Sequence, residues 1–150
     1  MGFFSKNKDK NTEQNNRPNT VPTEARWNED ENEWEIGEYD EDGNMIGEWK
    51  WWLAPNGHLV CHTFFKDDGS EDMTFTRFHQ DGTVSQKGTY EDGVQHGEFI
   101  SQRSKNETTE NFGPRVDCFK AVTTFDEGYV VEEHYFDESG TESHDAYISE

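Results

Sequence analysis

The sequence predicts an all-β fold, an antiparallel meander of stacked β-hairpins, and three observations carry that prediction. Glycine turn pairs recur along it: Asp42-Gly43, Asn56-Gly57, Asp68-Gly69, Asp81-Gly82 and Asp92-Gly93, then Glu127-Gly128 and Ser139-Gly140. The β-branched and aromatic runs between them are five to eight residues long, the length of ordinary strands. Within those runs side chains alternate with the two-residue period of a strand, and helical periodicity is nearly missing.

The first five glycines are spaced 14, 12, 13 and 11 residues apart. Asp-Gly and Asn-Gly tolerate positive φ at both central positions, which the tight turns that match strand twist require. The predicted strands are Gly47 to Leu53, His58 to Phe65, Met73 to Phe78, Thr83 to Tyr90 and Val94 to Ser101. Alternation places Trp49 and Trp51 on one face and Lys50 and Trp52 on the other; likewise Val60, His62 and Phe64 oppose Leu59, Cys61 and Phe65. Residues 102–116 are polar, contain Gly113-Pro114 and read as a long loop. Cys118 to Phe125 and Tyr129 to Phe136 then flank Asp126-Glu127-Gly128 as a further hairpin, with Tyr129, Val131, Glu133 and Tyr135 on one face. A final edge strand from Thr141 to Ile148 is also expected, its acids discouraging edge-to-edge aggregation.

Residues 1–25 are rich in Asn, Lys, Gln, Thr and Pro and show no apolar periodicity after Phe4, so they read as a disordered tail. Residues 26–150 form one domain. Only 29% of the chain is hydrophobic, but eleven Phe, five Trp and five Tyr make 14% of it aromatic. Each ring buries roughly 150 to 250 Å², so the core is expected to be built from rings.

The formal net charge is -20. The first 24 residues hold Lys6, Lys8, Lys10 and Arg17 against Asp9, Glu13 and Glu24, which leaves 30 acids and nine bases for the rest. A body this acidic repels nucleic acid and anionic membrane and attracts basic proteins. Cys61 and Cys118 are too few for a disulfide framework and read as reduced thiols. The opening MGFFSKNKDK lacks the apolar stretch of a signal peptide or span, so a cytoplasmic location is expected.

Two windows repeat closely. Tyr39, Gly43, Gly47, Glu48 and Trp49 correspond to Tyr90, Gly93, Gly97, Glu98 and Phe99; each window reads as tyrosine, Asp-Gly, three residues, then Gly-Glu-aromatic. A partial copy runs from Phe78 through Gly82 to Gly88 and Tyr90, and Gly37-Glu38-Tyr39 repeats the closing element. This pattern resembles the MORN-like repeats of bacterial antitoxin and immunity proteins, over about Trp34 to Ser101. The missing second glycine in Met73 to Phe78 and the break at 102–116 depart from it. The resemblance implies a twisted meander in which Gly43, Gly47, Trp49, Gly57, Gly82, Gly93, Gly97 and Phe99 are structural. Independently of it, a lone hairpin is marginal in water, so neighbouring hairpins must share a sheet and bury rings between them.

No arrangement in the sequence calls for catalysis. Ser, Cys and His occur without a nucleophile elbow or a recognisable base partner, and the acids match no calcium-loop spacing. His58 and His62 fall on one strand face about 13 Å apart, too far for one metal. No cofactor is expected. The candidate partner-binding residues are Trp52 and Phe65, as exposed rings, with Asp67, Asp68, Glu71 and Asp72 around the Gly69 turn; rings supply anchors and acids supply steering. The acidic run Glu29, Asp30, Glu31 and Glu33 before Trp34 is a second such cluster. The function expected is that of an immunity or antitoxin protein, monomeric when free, which binds a basic cognate toxin domain directly. An acidic nucleic-acid mimic that inhibits a DNA- or RNA-handling enzyme and a MORN-type structural scaffold are the alternatives.

Overall fold

The computed structural model describes residues 16–67, 71–104 and 118–142. Nine strands form one open antiparallel sheet in strict sequence order, and the described residues include no helix. They are β1 (Arg26–Asn28), β2 (Glu33–Tyr39), β3 (Met45–Leu53), β4 (His58–Phe65), β5 (Met73–Phe78), β6 (Val84–Glu91), β7 (Val94–Gln102), β8 (Lys120–Asp126) and β9 (Tyr129–Phe136). The predicted meander is therefore the observed architecture. Among the described residues no helix is long and apolar enough to cross a membrane.

Turn chemistry holds the order. Gly43, Gly57, Gly82, Gly93, Gly128 and Gly140 all have positive φ, a conformation glycine adopts without steric cost. Three turns share one construction, in which an Asp carboxylate accepts from backbone N–H groups ahead of it. Asp40 takes Asp42 and Asn44, Asp81 takes Thr83, and Asp137 takes Ser139 and Thr141. Such bonds favour the ionised form and hold these three carboxyls below the usual carboxylate range; for Asp81 the hydroxyl of Ser104 contributes most, and for Asp137 that of Ser139.

The two faces of the sheet carry different cores. On the first, Trp34 and Trp52 are cross-strand partners and pack with Val21 and Ala25, and Trp27, Ile36, Ala54 and Leu59 close around them. Val21 is 1% and Ala25 2% exposed, which corrects the sequence reading of 1–25 as a disordered tail: residues 16–25 are a strap across this face. Pro18 and Thr20 lie over Gly57, whose missing Cβ would otherwise meet Thr20 Oγ1 at 2.6 Å. Residues 1–15 lie outside the described residues.

The second face holds Trp49, Thr63, Phe75 and Gly88 in one cross-strand row, with the Phe99 ring of β7 against Gly88. Trp49 is fully buried. A Cβ on Gly37 would sit 2.0 Å from the Trp49 indole, and one on Gly88 would sit 2.6 Å from the Phe99 ring. These two glycines make room for rings. Gly47 and Gly97, both part of the repeat pattern in the sequence, have nothing closer than 3.9 Å at the Cβ position; what they supply is positive φ.

Bulges interrupt the alternation. Trp51 pairs with Cys61 but Trp52 with Leu59, so Val60 is extra in β4. That shift puts Leu59 with Trp52 on the strap face, on the side opposite to the simple alternation that grouped it with Cys61. A similar shift at Thr124/Phe125 leaves Val131 extra in β9. Hence Tyr135 is buried while Tyr129 and Val131 are 77% and 61% exposed. The loop expected at 102–116 begins later, after Ser104. Gln102 ends β7, Arg103 N–H donates to Phe119 C=O, and the buried Ser104 donates to Asp81 Oδ2. Residues 105–116 lie outside the described residues, as does the expected edge strand beyond the Phe136–Glu142 bridge.

Candidate partner-binding groove

The register of β3 to β6 builds a groove on the second face. Three rows cross it: Trp51, Cys61, Arg77 and Gln86; then Trp49, Thr63, Phe75 and Gly88; then Gly47, Phe65, Met73 and Tyr90. In β4 the row members Cys61 and Thr63 are small, whereas their neighbours across the sheet are bulky: Trp51 and Arg77 beside Cys61, Trp49 and Phe75 beside Thr63. A depression of about 520 Å³ results, with Cys61 and Thr63 on its floor, Trp51 on one side and Phe75 and Tyr90 on the other. The thiol of Cys61 lies 3.4 Å from Thr63 Oγ1.

Two aromatic blocks flank this depression. On the β2–β3 side Trp49 and Trp51 stack at 5.6 Å, Tyr39 meets Trp49 edge-on at 5.0 Å, and the Arg26 guanidinium lies 5.7 Å from the Trp49 ring. On the β5–β8 side Phe99 contacts Phe75, Tyr90 and Phe125 at 5.8, 5.5 and 5.1 Å. Edge-to-face geometry is the favourable one for such ring pairs. The Trp49 indole N–H also donates to Glu38 C=O, which satisfies its polar atom in the core.

Charge is unevenly placed around the groove. Glu31 and Glu33 line it from the β1–β2 side and Arg77 from β5. Burial pushes the Glu33 carboxyl up, and the neighbouring carboxylates of Glu31 and Glu35 push it further the same way. Arg26, the cross-strand neighbour of Glu35, lies over the Tyr39 and Trp49 rings instead of relieving these acids.

The candidate residues named from sequence fare differently. Trp52, taken as an exposed anchor, is 6% exposed and belongs to the strap-face core; the bulge beside it and residues 16–25 bury it. Phe65 does line the groove. Asp67 and Glu71 are exposed at the β4–β5 turn, with Glu71 reaching over Gly93 of the next turn on that edge. Asp72 is engaged internally: it pairs with Lys66 Nζ at 2.7 Å and accepts from Asp92 N–H at 2.8 Å, tying two hairpin ends together. Asp68 lies outside the described residues. His58 and His62 serve different partners, Phe78 C=O at 3.3 Å and Glu48 Oε2 at 3.0 Å. Among the described residues no group of three or more His, Cys, Asp and Glu comes together as a metal site.

The groove residues Trp51, Cys61, Thr63, Phe75 and Tyr90 are not visible as a set in the sequence because they come from four strands. The signal available was the pair of small residues in β4 between ring-rich neighbours, and reading it needed the register. Compared with known proteins, the chain matches no family model, no curated protein and no solved structure.

Proposed function

We propose that this chain is an immunity or antitoxin protein that neutralises a cognate toxin by direct binding, holding a basic protein domain against the ring-lined face of its sheet. The observation that carries this reading is the groove itself, a half-open aromatic surface inside a body with 30 acids and nine bases beyond residue 24. Rings that are partly buried before binding supply anchoring area, and the surrounding negative field speeds encounter with a basic surface. The MORN-like repeat pattern of Tyr39 to Trp49 and Tyr90 to Phe99 supports the same assignment. In this reading the protein acts in the cytoplasm as a monomer, takes no cofactor and performs no chemistry.

The test is neutralisation. A basic protein encoded beside this chain, expressed alone, should arrest growth, and co-expression of this chain should restore it, with the two purifying as a stoichiometric complex. Growth arrest that this chain leaves unrelieved, with no complex formed, would reject the reading.

A second reading, an acidic mimic of nucleic acid, is favoured by one feature of the topology. Alternate turns of a meander share one sheet edge, so Asp40, Asp42, Glu71, Asp92, Asp126 and Glu127 lie along the same side. Duplex DNA should displace the partner competitively if these carboxylates stand in for phosphates.

A further inference from the structure

The groove has a polarity that a general attraction to basic proteins does not require. Its carboxylates, Glu31 and Glu33, come from the β1–β2 side, and its guanidinium, Arg77, from β5. Three strand spacings separate β2 from β5, about 14 Å at the usual spacing, so the two signs do not neutralise each other. Between them Trp51 is partly exposed, with Glu35 beside it across the β2–β3 pair. The same sheet already shows what such a combination holds, because the Arg26 guanidinium lies over the Trp49 and Tyr39 rings a few ångströms away.

We infer that the groove is a binding site for one arginine side chain projecting from an extended segment of a basic partner, its guanidinium over Trp51 beside Glu33 and Glu31. The inference rests on the partner-binding reading and adds the residue recognised and its direction. A planar guanidinium stacks on an indole face and donates to two carboxylates at its edge, which a compact ammonium does less well. Arg77 on the opposite side repels the cation and so fixes the end at which it enters. The unrelieved carboxylate group around Glu33, whose carboxyl is pushed up by burial and by Glu31 and Glu35, is what an incoming cation would relax.

Fluorescence anisotropy of a labelled Thr-Val-Arg-Val-Thr peptide with the full chain at physiological salt tests this, against a twin carrying citrulline, which is isosteric and neutral. The arginine peptide should bind at least tenfold more tightly than the citrulline one. Glu33→Gln and Trp51→Leu should each weaken it about tenfold, whereas Glu127→Gln, an equal change of charge at the exposed β8–β9 turn, should alter it less than twofold. Misfolding does not confuse Glu33→Gln, since removing a crowded carboxylate should leave the urea midpoint no lower than that of the parent chain. Cys61 provides a second readout. It sits on the groove floor while Cys118 is 5% exposed, so the arginine peptide should slow alkylation of Cys61 at least fivefold. Equal affinity for the two peptides, equal weakening by Glu33→Gln and Glu127→Gln, or an unchanged Cys61 rate would overturn the inference. Toxin binding by Glu33→Gln as tight as that of the parent chain would overturn it too, and would leave the partner-binding reading standing.

Discussion

The two glycine–ring units, one around Trp49 and one around Phe99, solve the same packing problem with different support. Each places a ring over a bare glycine backbone, Gly37 or Gly88, and sets a tyrosine two residues further on, Tyr39 or Tyr90, edge-on against that ring. The first unit supports its ring with an indole N–H bond to Glu38 C=O and with Arg26, and the strap of residues 16–25 covers the opposite face of the same strands. The second lacks the polar bond and surrounds Phe99 with three other rings. The shared part, bare glycine under a ring, is therefore the unit of construction, and the remaining contacts adapt it to ring size. The strip between the units, where β4 sets the small Cys61 and Thr63 beside Phe65, is where the face stays open.

That comparison orders the expected effects of mutation. Trp49→Ala should be the most damaging change, about 5 kcal/mol, because it removes a fully buried indole and leaves Glu38 C=O without its donor. Phe99→Ala should cost less, about 3 kcal/mol, since three neighbouring rings can collapse into the space. Urea unfolding of both variants measures the gap, and a reversed order would show that the second unit, not the first, anchors the sheet.

Below these comes the strap. Val21→Ala should cost about 1 to 2 kcal/mol, the transfer of its lost methyl groups plus a small cavity against Trp34 and Trp52. A substitution without effect on the urea midpoint would detach residues 16–25 from the fold and restore the tail boundary expected near residue 25.

The smallest effect belongs to the far edge. His134 hydrogen-bonds the carboxylates of Glu142 and Glu132, and these bonds raise its pKa above the ordinary histidine value. A group whose folded pKa is raised stabilises fully below its unfolded pKa, about 6.5, and that contribution fades as pH climbs past the folded value. His134→Gln should thus lower the urea midpoint slightly at pH 6 and leave it unchanged at pH 9. Equal shifts at both pH values would remove the charge interaction from the account.

Much of the architecture was legible in the sequence because the turns are written in local chemistry. Asp-Gly and Asn-Gly pairs set where hairpins reverse, and the boundaries of β4, β5 and β9 follow from them to the residue. Two kinds of information were not local. Bulges, such as the extra Val60, change which face a residue occupies without any mark in composition. Burial by a distant segment is equally silent: Trp52 reads as an exposed ring until Val21 and Ala25 are placed over it, and Asn, Thr and Pro around those two residues disguise the strap as linker. The repeat itself shows the same limit. Gly37-Glu38-Tyr39 and Gly88-Thr89-Tyr90 stand out as recurring elements, but only the register shows that these glycines, and not Gly47 and Gly97, lie beneath the rings. Acids crowd the Gly69 turn in the sequence, yet Asp72 among them is bound to Lys66 and the Asp92 backbone.

A double-mutant cycle between Gly88→Ala and Phe99→Ala probes the construction unit most directly. With the Phe99 ring present, a methyl at position 88 would begin 2.6 Å from it and should cost about 1 to 3 kcal/mol. With the ring removed, the same methyl should enter the vacated space at almost no cost, giving a coupling energy of about 1 kcal/mol or more. Strictly additive losses would mean that the glycine and the ring do not act together, and the account of how this sheet is assembled would fail.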